Sequence, residues 1–145
     1  MGKIARPVRN SSKQRTEVVT TSKTVTLAES GETYFVSGSS AVTLTLPAAE
    51  NGLYFRVVPH VGMTKAVAVT SSTSYVAGGI LQVSGAAAIS MVLSGQSYGA
   101  KITPITVGAS GSDYMEVRAV ELQAGSSTYA YVVNGIVSGA ASFTA

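Results

Sequence analysis

The sequence offers few side chains that could act as an acid, a base or a nucleophile. The segment Gly95-Gln-Ser97-Tyr-Gly99 matches the G-x-S-x-G turn that exposes a nucleophilic serine in some hydrolases. That turn needs a strand before it, a helix after it, and an acid and then a histidine later in the chain. Residues 101–107 instead have the pattern of a strand, and no histidine follows Ser97. We interpret the segment as a tight turn in which Gly95 and Gly99 allow positive φ.

Metal and cofactor chemistry has as little support. His60 is the single histidine, it follows Pro59, and the chain has no cysteine. Metal sites recruit several ligands at characteristic spacings, so we interpret His60 as a loop residue. The glycine-rich residues 107–112 lack the Lys-Ser/Thr pair of a phosphate-binding loop. We expect no catalytic residue, no metal and no cofactor, and therefore a protein that is not an enzyme.

The carboxylates are also weak candidates for catalysis. Glu29 and Glu32 flank the turn signal Ser30-Gly31, where solvated acids are common. Glycoside hydrolysis needs two carboxyl groups roughly 5 to 9.5 Å apart across a sugar cleft. Glu116 and Glu121 lie on one predicted strand, and the seven tyrosines are spread along the chain. We expect Tyr129 and Tyr131 to be core or interface residues.

Alternating apolar and polar residues predict strands over most of the chain. The clearest is formed by Val42, Leu44 and Leu46, which alternate with Thr43 and Thr45. Further strands are predicted at residues 24–27, 33–37, 53–57, 66–70, 80–84, 89–93, 101–107, 114–122 and 128–133. Glycine-containing turns separate them at a spacing of about ten residues. This spacing predicts a single all-β domain: a sandwich, a jelly roll or a Greek-key barrel. No internal repeat indicates a solenoid.

Two predicted strands contain irregularities. In residues 114–122 the alternation places Met115 and Val117 on one face but Leu122 on the other, which predicts a bulge or a bend. Pro104 cannot donate a backbone hydrogen bond, so residues 101–107 are expected to be an edge strand or to be interrupted there.

The composition is poor in charge. Charged residues make up 12% and hydrophobic residues 46% of the chain, whereas an average domain has about 25% charged residues. A neutral sheet protein of this kind is expected to cover much of its surface with other proteins, as an oligomer or in a particle. The absence of cysteine fits a reducing cytoplasm. No apolar run predicts a signal peptide or a membrane span.

The net charge of +3 hides an asymmetry along the chain. Residues 1–23 hold six basic residues and one acidic residue, whereas the other 122 hold four basic and six acidic residues. We therefore divide the chain into a basic, extended N-terminal arm, residues 1–23, and an all-β domain, residues 24–145. The arm could contact nucleic acid, dock on an acidic protein surface, or be a solvated tail. Docking is favoured over nucleic acid, because no aromatic residue is interleaved with the basic ones.

One stretch carries a family resemblance. The residues Ala41-Val-Thr-Leu-Thr-Leu-Pro47-Ala-Ala-Glu-Asn-Gly52-Leu-Tyr-Phe-Arg-Val57 resemble a hairpin element of bacteriophage structural proteins such as capsid decoration (cement) proteins, head fibres and tail-fibre tips. Residues 79–85 and 111–117 are similar in style. The resemblance implies a homotrimer of β-barrel or jelly-roll subunits whose N-terminal arm grips the major capsid protein. The chain has no long repetitive shaft or coiled-coil heptads, which favours a decoration protein over a fibre.

The sequence therefore predicts a virion protein that decorates and stabilises a phage capsid, assembled in the host cytoplasm and located on the capsid surface. The predicted capsid-docking residues of the arm are Lys3, Arg6, Arg9, Lys13 and Arg15. The expected partners are the major capsid protein and further copies of the chain, with no membrane and no nucleic acid. The alternative is a tail-fibre tip or adhesin-like module that recognises host-surface glycans.

Overall fold

The computed structural model describes residues 15–61, 63, 65–71, 74, 76–84, 88–93, 101–106, 113–138 and 142–144. Within these residues the strands are β1 Thr16–Val19, β2 Lys23–Thr24, β3 Thr33–Val36, β4 Val42–Leu46, β5 Tyr54–Pro59, β6 Ala66–Ser71, β7 Val76–Ser84, β8 Ala88–Leu93, β9 Lys101–Thr106, β10 Tyr114–Glu121, β11 Tyr129–Val137 and β12 Ser142–Thr144. The one helical element among them is a 3-10 turn at Leu27–Glu29. The all-β prediction is confirmed. No helix in the described part of the chain is long and apolar enough to cross a membrane.

The strands form two mixed sheets. The seven-stranded sheet has the order β1-β3-β5-β10-β11-β7-β8, and the five-stranded sheet has the order β12-β9-β6-β4-β2. From β1 to β6 the chain alternates between the two sheets, and strands that follow each other within a sheet pair in parallel. A jelly roll or Greek key is built from antiparallel neighbours, so neither topology is confirmed.

These first six strands wind as a coil between two sheets, without a sequence repeat. Thr16, Thr33 and Arg56 occupy neighbouring positions on β1, β3 and β5, at intervals of 17 and then 23 residues. The unequal intervals explain why no fixed period is visible in the sequence. The other pairs, apart from parallel β7 and β11, are antiparallel.

One hydrophobic core holds the two sheets together. In β4 and β5 every second side chain is buried, and Leu44, Phe55 and Val57 are wholly enclosed. Tyr34 and Phe55 stack within it, with ring centroids 6.4 Å apart. The alternation that predicts β4 in the sequence is therefore the alternation between core and exterior.

The two predicted irregularities have different outcomes. β10 pairs with β11 in unbroken register and ends at Glu121, so Leu122 lies beyond the strand and is exposed, and the predicted bulge is wrong. Pro104 lies in β9, which is flanked by β12 and β6 and is not an edge strand. The β6–β9 register nevertheless shifts between the pairs Val67–Ile105 and Val69–Ile102, on either side of the proline. The predicted interruption at Pro104 is confirmed.

The described part of the predicted arm belongs to the sheets. Thr16–Val19 form the edge strand of the seven-stranded sheet, and Lys23 begins β2. The Arg15 carbonyl accepts a hydrogen bond from the Thr33 amide at 2.8 Å. Arg15 is therefore the first described residue and already pairs with β3; residues 1–14 lie outside the described residues.

Candidate binding surface and acidic cluster

The face of the seven-stranded sheet that points away from the core carries a row of apolar side chains. Val18, Phe35 and Val58 are neighbours on β1, β3 and β5. Tyr114, Ile136 and Leu81 are neighbours on β10, β11 and β7. β5 and β10 are antiparallel and Val57 pairs with Met115, so Tyr114 lies beside Val58. The three residues on β1, β3 and β5 and the three on β10, β11 and β7 therefore form one continuous line across the sheet. We name these six residues the apolar row. Val18 is 68% exposed and Phe35 is 37% exposed.

A network of aromatic and charged side chains lies on the same face and shares Tyr114 with the apolar row. The Tyr54 hydroxyl donates to Glu116 Oε1 at 3.0 Å, and Arg118 Nη2 lies 3.4 Å from Glu116 Oε2. The Arg118 guanidinium lies 5.3 Å from the Tyr54 ring centroid, and that of Arg56 lies 4.9 Å from the Tyr114 ring centroid. We name these five residues the Tyr–Arg network.

The Tyr–Arg network holds its side chains in place through mutual contacts. Burial raises the pKa of Tyr54, and the hydrogen bond to Glu116 raises it further. The phenol therefore remains a hydrogen-bond donor at neutral pH. Each arginine lies over a ring at a distance typical of cation–π contacts, which limits its rotamers.

A second cluster lies at the edge of the domain, where Glu17, Glu29 and Glu32 converge. Their carboxylate oxygens lie within 4.8 Å of one another. Lys23 Nζ forms an ion pair with Glu17, and a second one with Glu29 Oε1 at 2.5 Å. Burial acts to lower the pKa of Lys23, but its hydrogen bonds to Glu17 and Glu29 outweigh burial and raise the pKa. We name the three glutamates the acidic cluster.

The 3-10 turn holds Glu29 in this position. Glu29 Oε2 accepts hydrogen bonds from the Thr26 amide at 2.6 Å and from the Thr26 hydroxyl at 2.8 Å, and the bond from the amide is one half of a capping box between Thr26 and Glu29. Burial acts to raise the pKa of Glu29, but the hydrogen bonds from Lys23 and Thr26 lower it overall. The expectation that Glu29 and Glu32 are solvated turn acids is wrong, because both are half-buried.

The residues singled out in the sequence are not brought together. His60 is exposed, and its Nδ1 lies 2.7 Å from the carbonyl oxygen of Val61. Tyr131 is a core residue whose hydroxyl donates to the Pro47 carbonyl at 3.0 Å. Arg15 is exposed at the start of β1. Ser97, the glycine-rich residues 107–112 and the arm residues Lys3, Arg6, Arg9 and Lys13 lie outside the described residues.

Both surfaces carry signals that are visible in the sequence. The Thr26-x-x-Glu29 spacing is a capping-box signature. Tyr54 and Arg56 are two positions apart, as are Glu116 and Arg118, which places each pair on one face of a strand. Their meeting across β5 and β10 depends on a register that a single sequence does not specify.

The comparisons with known proteins give no match: no family model, no curated protein and no solved structure is similar to this chain.

Proposed function

We propose that the protein is a non-enzymatic structural subunit that decorates a viral capsid, and that it binds the major capsid protein through its sheet face and its basic N-terminal arm. The observation that carries the proposal is the apolar row, which crosses the sheet and is most exposed at Val18. In a chain with 12% charged residues, such a row favours a protein partner. Assembly as a trimer in the host cytoplasm is part of the proposal.

The composition of the face supports protein binding. Protein interfaces are enriched in tyrosine and arginine, and those residues often dominate the binding energy. The Tyr–Arg network contains two tyrosines and two arginines, together with Glu116. The apolar row beside it supplies surface whose removal from water favours association, at about 25 cal/mol per Å² before binding costs are subtracted.

The arm and the apolar row meet at one edge. Arg15 directly precedes β1, and β1 carries Val18 at the edge of the seven-stranded sheet. A partner that covers Val18 and Phe35 is therefore next to the point where the arm joins the sheet. Lys3, Arg6, Arg9, Lys13 and Arg15 supply five positive charges without an acid between them, so the matching surface of the capsid protein is acidic.

Co-sedimentation with empty shells tests this proposal, using shells assembled from the major capsid protein encoded nearest to this gene. Removal of residues 1–14 retains Arg15 and its hydrogen bond to Thr33, and should abolish binding while the β fold is kept. Val18→Asp should weaken binding about tenfold or more, because it places a charge in the apolar contact. Val61→Asp is the matched control, since Val61 is 58% exposed and lies outside the row.

Full occupancy by the truncated protein would refute the role of the arm. Equal binding by the Val18 and Val61 variants would refute the role of the apolar row. Rising salt should weaken binding of the full chain more than any residual binding of the truncated one, because exposed charges are screened.

Glycan recognition is the second candidate, favoured by the convergence of Tyr54, Glu116 and Arg118. A carboxylate, a guanidinium and an aromatic ring provide both hydrogen bonds and a stacking surface for a sugar. On a glycan array, a glycan-binding module would keep its signal without residues 1–14 and lose it in Tyr54→Ala. Capsid decoration predicts no array signal in either protein.

A further inference from the structure

The acidic cluster has the spacing of a cation site. Its three carboxylates come from β1, from the 3-10 turn and from the residue before β3, and their oxygens lie within 4.8 Å of one another. Oxygen ligands of Ca²⁺ lie about 2.3–2.6 Å from the ion. Oxygens on one ion are therefore at most about 5 Å apart, and the observed separations fit this limit.

The charges of the cluster are not balanced by its neighbours. Glu17, Glu29 and Glu32 bring three negative charges, and Lys23 is the one cation paired with them among the described residues. The Lys23 and Glu29 side chains are only 24% and 20% exposed, so water screens the excess charge incompletely. A cation of higher charge than an ammonium group would neutralise the cluster better.

Tyr34 provides independent support. It is wholly buried, and its hydroxyl forms no hydrogen bond of normal geometry among the residues that the structure describes, although Glu29 is close enough to act on it as an acceptor. Burial is the main cause that raises the pKa of Tyr34, and the charges of Glu29, Glu32 and Glu17 raise it further. The Lys23 ammonium nitrogen, which pairs with Glu17 and Glu29, lies 5.3 Å from the Tyr34 ring centroid, so the Tyr34 side chain borders the acidic cluster. A buried hydroxyl without a well-formed hydrogen bond is costly, and an added ligand in the cluster would provide its partner.

We propose that Glu17, Glu29, Glu32 and the hydroxyl of Tyr34 form a binding site for a divalent cation of the calcium class, which displaces the Lys23 ammonium group. An all-oxygen donor set with several carboxylates favours Ca²⁺ over Zn²⁺. The Glu17 side chain is 37% exposed, which gives the ion access from solvent, and Lys23 must leave its two ion pairs and its position over the Tyr34 ring. The bound ion would join β1, the edge strand beside the arm, to the start of β3.

Terbium luminescence provides the direct test, because Tb³⁺ occupies calcium sites and a nearby tyrosine sensitises its emission. With Tb³⁺ alone we expect sensitised emission from the full-length chain, and Ca²⁺ should displace the ion. An open site of this kind is expected to bind Ca²⁺ with a Kd of about 0.1–1 mM. Absence of both Tb³⁺ emission and Ca²⁺ binding by calorimetry would overturn the proposal.

Variants identify the residues involved. Glu32→Gln should weaken Ca²⁺ binding at least tenfold, whereas Glu50→Gln, at an exposed glutamate outside the cluster, should leave it unchanged. Lys23→Gln should tighten binding about fivefold, because the competing ammonium group is removed. Tyr34→Phe should reduce the Tb³⁺ emission. Equal loss in the Glu32 and Glu50 variants, or weaker binding in a folded Lys23→Gln protein, would contradict the assigned site.

Discussion

Gly78 provides the sharpest test of the sheet arrangement. It lies in β7 opposite Val133 of β11, with φ +135°, a backbone conformation that side chains disfavour. A Cβ atom added there would lie 2.0 Å from the Val133 carbonyl oxygen, 2.7 Å from its nitrogen and 2.9 Å from its carbonyl carbon. The obstacle is therefore backbone, which cannot rotate away as a side chain can.

The cost of Gly78→Ala follows from this geometry. Relief of the 2.0 Å contact requires β7 and β11 to separate by roughly 1 Å, which takes ladder hydrogen bonds beyond their normal length. Loss of two such bonds costs about 2 kcal/mol, and the unfavourable φ adds about 1–2 kcal/mol. We expect the free energy of unfolding to fall by about 3–4 kcal/mol, measured by urea denaturation.

Gly125→Ala separates the two contributions. Gly125 has φ +77°, but a Cβ atom there would meet nothing within 4 Å. That variant should lose only the conformational cost of about 1–2 kcal/mol. If the free energy of unfolding falls equally in both variants, β7 and β11 do not approach each other at Val133 as closely as in the structure.

Two further predictions concern buried polar groups. Asp113 is buried and accepts hydrogen bonds from the Ser138 amide at 3.0 Å and hydroxyl at 2.7 Å, so Asp113→Ala should reduce the free energy of unfolding by about 2–3 kcal/mol. A smaller loss than in Ser138→Ala, again by urea denaturation, would contradict this. Burial raises the pKa of Tyr131 from 10.0 to about 12. The protonated Tyr131 phenol therefore contributes its full share to the free energy of unfolding below pH 10, and this contribution is lost as the pH rises towards 12. Between these limits the wild type should lose on the order of 3 kcal/mol more than Tyr131→Phe, and equal losses in pH-dependent unfolding would refute this.

The strands were predictable because burial alone determines their pattern. Residues 42–46 alternate strictly, and the side chains that the alternation assigns to the interior are buried in β4. The partners of these strands were not predictable. Each strand would bury the same apolar face in an antiparallel sandwich or in a two-sheet coil. The alternation therefore does not show whether β4 pairs with β6, as it does in the structure, or with β5, the next strand in the chain. That choice depends on contacts distant in sequence, which leave no local signal.

The same limit applies to the arm and the acidic cluster. Counted along the sequence, Lys23 is the last charge of a basic arm, and Glu17 is its one acid. In the structure these two side chains pair with each other, and β1 and β2 hold them in the body of the domain. Without these two residues, the five basic residues up to Arg15 carry a net charge of +5. The proposed docking segment therefore becomes shorter and more uniformly positive, and it ends where β1 begins to pair with β3.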